Sequence, residues 1–217
     1  SFRKAIALRP DYAKARFNLG NVLKDAKQYA QAVEEYRAAS LLLPDDAEIQ
    51  NSLGSALRMD KAYDEAIDCF AQAVALKPDY ADAHFNLGTT MLAAQRDAEA
   101  VVALGKAVEN EPDNHELHFY LGNALRNTTQ PEKAMASFRQ ALALKEDFIS
   151  AEINLCSMLQ IHGALEDAIA SAYRARKIGP KHPTGHTSLL FCLSHSDELD
   201  AAALFAEHRQ FGEEFEP

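Results

Sequence analysis

The sequence predicts an all-α solenoid of antiparallel helix pairs stacked one on the next. Three observations predict it. Prolines fall at Pro10, Pro44, Pro78 and Pro112, each 34 residues from the last, and again at Pro180, two periods further on. Within each period apolar residues recur at three- and four-residue steps, as on one face of a helix. No segment reads as a strand. A fixed period of this length marks a repeat array, in which no unit buries its apolar face alone and stacking closes the core.

Each element has its reason in the period. Counting units from Ala13, Leu19, Leu53, Leu87, Leu121, Leu155 and Leu189 hold the seventh place. Gly20, Gly54, Gly88 and Gly122 hold the eighth. Ala32, Ala66, Ala100, Ala134 and Ala168 hold the twentieth, and Ala39, Ala73, Ala107, Ala141 and Ala175 the twenty-seventh. Helices that cross closely need small residues at the contact. Tyr36, Phe70 and Phe138 hold the twenty-fourth place, with Leu104 and Ala172 as weaker fillers. A large ring there fills the gap between neighbouring pairs. Proline closes the second helix, because the residue before it avoids helical angles. Glu146 replaces proline in one period.

This frame predicts a half repeat, five full repeats at 13–46, 47–80, 81–114, 115–148 and 149–182, and a capping helix pair with linker at 183–217. The opening SFRKAIALRP reads as the end of a helix already under way. The chain is therefore expected to be excised from a longer protein, with residues 1–8 fraying for want of a packing partner.

Composition narrows the function. Hydrophobic residues make up 47% and charged residues 25%, enough apolar surface for an ordered core. The net charge of -10 repels phosphate backbones and argues against nucleic acid as a partner. No run of about 18 apolar residues exists to cross a membrane. Cys69, Cys156 and Cys192 are far apart in sequence and lack CxxC spacing. Neither a disulfide framework nor a zinc site is expected, and each reads as a small buried residue in a reducing, cytoplasmic setting. His182 and His186 share a helical spacing, but Pro183 and Gly185 are expected to interrupt that helix, and no third ligand is evident. With no glycine-rich phosphate loop and no acid–base constellation, no catalytic residue, metal or cofactor is expected.

The N-L-G-N pattern, followed by Ala, an aromatic, Ala and Pro, resembles the tetratricopeptide repeat (TPR) family over residues 1–182. The family's aromatic at the fourth place is missing; Arg16, Gln50, His84, His118 and Glu152 stand there. The resemblance implies a superhelical TPR solenoid that binds protein or peptide partners along the wall formed by its first helices. At the fifth place that wall carries Phe17, Asn51, Phe85 and Phe119, and at the sixth Asn18, Asn86 and Asn154. At the ninth it carries Asn21, Thr89 and Asn123, and at the twelfth Lys24, Arg58 and Arg126. Amides offer both donors and acceptors, so asparagines suit the backbone of an extended peptide, and phenylalanines add apolar anchors. The competing reading is that the asparagines only bond neighbouring helix backbone while the rings pack between helices. A clamp for a chaperone's terminal carboxylate does not fit. Phe17 stands where that clamp has Lys, and Asp82 would repel a carboxylate.

Past Pro180, residues 183–194 read as one more first helix. Ser196 or Asp197 is placed to cap the next, with Leu204, Phe205, His208 and Phe211 along one face. The stretch LSHSDELDAAALFAEHRQFGE resembles the segment joining the repeats to the catalytic region in bacterial proteins of the SPINDLY / O-linked N-acetylglucosamine transferase family. That implies an acceptor-selecting region of a UDP-sugar-dependent protein O-glycosyltransferase whose catalytic domain lies beyond this chain. The alternative is a free-standing TPR scaffold or assembly factor. Apolar end faces also make end-to-end self-association an expectation.

Overall fold

A computed structural model describes residues 2–195 and, beyond them, Phe205, Ala206, His208, Arg209, Gly212 and Glu213. Among these, regular structure is helical throughout. The chain divides into two compact units, Ser1–Pro112 and Asp113–Pro217. The first holds α1 (Phe2–Leu8), α2 (Ala13–Asp25), α3 (Tyr29–Leu42), α4 (Ala47–Met59), α5 (Tyr63–Leu76), α6 (Ala81–Ala93) and α7 (Asp97–Asn110). The second holds α8 (His115–Asn127), α9 (Pro131–Leu144), α10 (Ile149–Ile161), α11 (Leu165–Ile178) and α12 (Pro183–Ser194). Pro183 begins α12 and Gly185 lies within it, so the expected interruption near His186 does not occur. A proline at the first helical position loses no hydrogen bond. Most of the tail resemblance, with Leu204 and Phe211, lies outside the described residues; Phe205 and His208 are helical and exposed.

In each pair the first helix meets the second where the eighth place faces the twenty-fourth. A β-carbon on Gly54 would lie 2.8 Å from the Phe70 ring, and one on Gly20 would lie 2.7 Å from Tyr36. Gly122 faces Phe138 in the same way, at 2.6 Å. Leu104 is no weaker a filler: a β-carbon on Gly88 would come within 2.5 Å of its Cγ. In the fifth pair Ala172 leaves room, and Cys156 takes the eighth place. The alanines at the twentieth place are wholly buried, as the close helix crossing requires.

The turn inside each pair is the same backbone device. Lys27, Lys61, Gln95, Thr129 and Gly163 all have φ between 57° and 73°. The following amide bonds back across the turn, Gln28 to the Leu23 carbonyl at 2.8 Å and Ala62 to the Leu57 carbonyl at 2.9 Å. These are Schellman caps, whose left-handed residue favours glycine. Only Gly163 meets that preference. Thr129 is exposed, and its β-branch is costly at φ 57°. Thr129→Gly is therefore expected to stabilise the protein by about 1 kcal/mol and to raise its thermal midpoint by about 2–4 °C. An unchanged or lower midpoint in a calorimetric scan contradicts this.

The turns between pairs alternate between two chemistries. Asp46 caps α4 by accepting from the Glu48 and Ile49 amides, and Asn114 caps α8 through the Glu116 amide. Tyr12, Tyr80 and Phe148 have no such oxygen. Each instead lies under a cation three residues earlier: Arg9, Lys77 and Lys145, at 5.5, 5.0 and 5.7 Å from the ring centres. The polar fourth-place residues also have work. Arg16, Gln50 and His84 each reach the proline carbonyl six residues back, at 3.0, 3.4 and 2.9 Å. Glu152 has only acceptors and no proline behind it. It takes the Ser171 hydroxyl and Arg174 instead.

Candidate functional site

Nine of the thirteen sequence-predicted wall residues lie in the first unit, on α2, α4 and α6, with α4 in contact with both neighbours. Phe119, Asn123, Arg126 and Asn154 lie in the second unit, on α8 and α10.

In the first unit three amides are held by side-chain hydrogen bonds, two of them to each other. Asn86 Nδ2 donates to Asn51 Oδ1 at 3.0 Å, and Asn51 Nδ2 donates to the Tyr80 hydroxyl at 3.2 Å. The Tyr36 hydroxyl donates to Asn21 Oδ1 at 2.6 Å. Burial, with Asp25 nearby, pushes the Tyr36 hydroxyl up to about 12, so it remains a donor across the neutral range. Asn18 is half-buried. In the second unit Asn154 Nδ2 donates to Asn123 Oδ1 at 2.8 Å. Asn86 and Asn154 thus bond other asparagine side chains, not the neighbouring helix backbone. Each linked amide still has hydrogen-bonding capacity to spare: two donor hydrogens on Asn21 and Asn123, and one donor on Asn51. Fixed amides with open valences form a preorganised polar wall.

The rings are less available than the sequence suggests. Phe17 leans on Tyr36 at 5.7 Å. Phe119 is wedged among Tyr120, Phe138 and Phe148, at 5.3, 6.0 and 4.9 Å between centres. Both rings serve packing as much as exposure. Phe85 is half-buried, and its carbonyl accepts from the Thr89 hydroxyl at 2.9 Å.

Among the described residues Lys24, Arg58 and Arg126 have no carboxylate partner. Arg58 is the most constrained of the three. Its Nη1 lies 3.4 Å from Thr89 Oγ1, while its Nε is buried without any hydrogen-bond partner. A buried donor left unmade costs about 1–3 kcal/mol, and this one has no surface open to an incoming acceptor. The sequence reading missed Tyr36 and Tyr80 as members of the wall. The signal was present, since Tyr36 stands where the other large fillers are Phe or Leu and so brings the only hydroxyl.

A separate cavity of about 660 Å³ opens between α9, α10 and α11, and none of the thirteen residues lines it. Leu142, Leu155 and Ile178 form its apolar side, and Arg139, Glu146 and Lys177 are among its charged residues. Among the described residues no cluster of three or more His, Cys, Asp or Glu could hold a metal. None of the described helices is long and apolar enough to cross a membrane.

Comparison with known proteins agrees with this architecture. No curated protein sequence matches the chain. Among solved structures, YrrB, described as a TPR protein with an unusual peptide-binding site, is similar at a TM-score of 0.77 and 23% identity, over 87% of this chain and 97% of that one. MamA from Desulfovibrio magneticus RS-1 is similar at 0.74 and 19% identity, over 78% and 96%. MamA MSR-1 is similar at 0.70 and 25% identity, over 78% and 97%. Models described as tetratricopeptide repeat match residues 1–55, 82–114 and 115–148, and one described as TPR repeat matches 60–95. With these matches following one another along a 34-residue helical period, the chain is a tetratricopeptide-repeat array.

Proposed function

We propose that the wall of α2, α4 and α6 binds an extended segment of a protein partner. The observation that carries this reading is the set of half-buried amides of Asn21, Asn51 and Asn86, each held by a side-chain hydrogen bond and each keeping spare donors or acceptors. The peptide's backbone would bond Asn18, Asn21 and Asn86. The unpaired cations Lys24 and Arg58 favour acidic side chains in the segment, while the chain's overall charge of -10 disfavours nucleic acid. The Asn123–Asn154 pair offers the same chemistry within the second unit. The likeness to YrrB supports peptide binding in general terms.

The test is an array of short unstructured peptides probed with the whole chain. Asn86→Ala together with Phe85→Ala is expected to weaken the best binders about tenfold or more, with helicity unchanged by circular dichroism. Unchanged affinity removes the wall from the binding site.

A finer reading is that the wall selects acceptors for a protein O-glycosyltransferase. It rests on the sequence of residues 193–213 alone. The reading frame past residue 217 decides it: a following α/β domain favours the transferase, and a stop codon favours a free-standing scaffold.

A further inference from the structure

Cys156 and Cys192, 36 residues apart in sequence, meet inside the second unit. Their Sγ atoms are 3.9 Å apart, and neither residue has any exposed surface. Cys156 lies on α10 at the eighth place of its repeat, where the earlier repeats have glycine. Cys192 lies on α12. One amide serves both sulfurs, since Gln160 Nε2 stands 2.9 Å from Cys192 Sγ and 3.5 Å from Cys156 Sγ. The Cys156 thiol also donates to the Ala168 carbonyl at 3.4 Å. Cys69, the third thiol, belongs to the other unit and is half-buried. The sequence reading of three isolated buried thiols therefore fails twice: one is not buried, and two are neighbours.

The sulfurs are already in van der Waals contact. Closing to a bond of about 2.05 Å asks the two sulfurs to approach by about 2 Å. We propose that Cys156 and Cys192 are a disulfide-forming pair whose oxidation bolts α12 to α10. Among the described residues α12 packs against α10 and α11, and its Phe191 is half exposed.

The oxidant is a low-molecular-weight disulfide such as oxidised glutathione. One protein thiolate attacks it, forming a mixed disulfide and expelling one thiolate. The second protein thiolate then attacks the protein sulfur of that mixed disulfide and expels the other. Two electrons pass from the cysteine sulfurs to the reagent, which leaves as two thiols carrying the two protons. Burial, with Cys192 beside it, pushes the Cys156 thiol up to about 12, so in the closed packing it stays protonated. Exchange therefore waits for α12 to lift, and its rate reports that local opening.

The experiment uses the whole chain carrying Cys69→Ser, incubated with oxidised glutathione in native buffer. The expected product has lost two hydrogen atoms by intact mass and yields one linked peptide pair joining Cys156 to Cys192. Its α12 amides are expected to exchange about tenfold more slowly, and dithiothreitol should reverse both changes. Two results overturn the proposal: recovery of both thiols as alkylatable cysteines, or persistent glutathione adducts without the linked pair. A linked pair that forms only in denaturant also overturns it, because native packing would then not be what brings the sulfurs together.

Discussion

Phe70→Ala is expected to destabilise the protein by roughly 3–5 kcal/mol, the cost of emptying a wholly buried aromatic site that cannot fully collapse. Gly54→Cys should be destabilising for the opposite reason. Its new β-carbon would lie 2.8–3.0 Å from three atoms of the same ring, and overpacking of that kind costs about 1–3 kcal/mol. The two substitutions together recreate the fifth repeat, where Cys156 and Ala172 occupy these places. The double variant should therefore lose less than the sum of the singles, by about 1–2 kcal/mol in thermal or urea unfolding. Strict additivity would mean that the ring does not dictate the glycine. The same argument applies to Gly122 and Phe138, which form the same contact in the second unit.

That pairing shows what the sequence makes legible. The eighth and twenty-fourth places read off the period directly, because each is decided by a contact inside one helix pair, and the all-α repeat fold follows from them. The left-handed residue of each turn was not legible. Lys27, Lys61, Gln95 and Thr129 show no preference for positive φ, and the backbone bonds of the cap impose it on them. The candidate wall was legible as a set of asparagines on first helices. Its wiring was not, because Asn51 and Asn86 come from different repeats and places, and the other partner of Asn51, Tyr80, stands at the entrance to a helix. Cys156 and Cys192 were hidden for the same reason. Sequence spacing describes the surface of one helix, whereas these contacts join one helix to the next.

The second large effect is expected at Glu152, and it follows from the repeat that lost its proline. The carboxylate is 3% exposed, with Arg174 Nε at 2.6 Å, Arg174 Nη2 at 3.4 Å and the Ser171 hydroxyl as its partners. Removing Arg174 leaves a charge in the core with one neutral donor. Breaking a fully buried pair in this way costs about 3–5 kcal/mol, and because Arg174 is itself half exposed the expectation here is about 2–3 kcal/mol. Glu152→Gln should cost about 1 kcal/mol or less, since it removes the charge that needs an ionic partner and still accepts from Ser171. It also restores a donor of the kind that Gln50 extends to the Pro44 carbonyl. The deciding comparison is Arg174→Ala with and without Glu152→Gln. If the stranded carboxylate is the cause of the loss, the double variant unfolds at higher denaturant than Arg174→Ala alone. If both unfold together, Arg174 contributes through its alkyl packing on α11, and the buried charge is tolerated by Ser171 unaided.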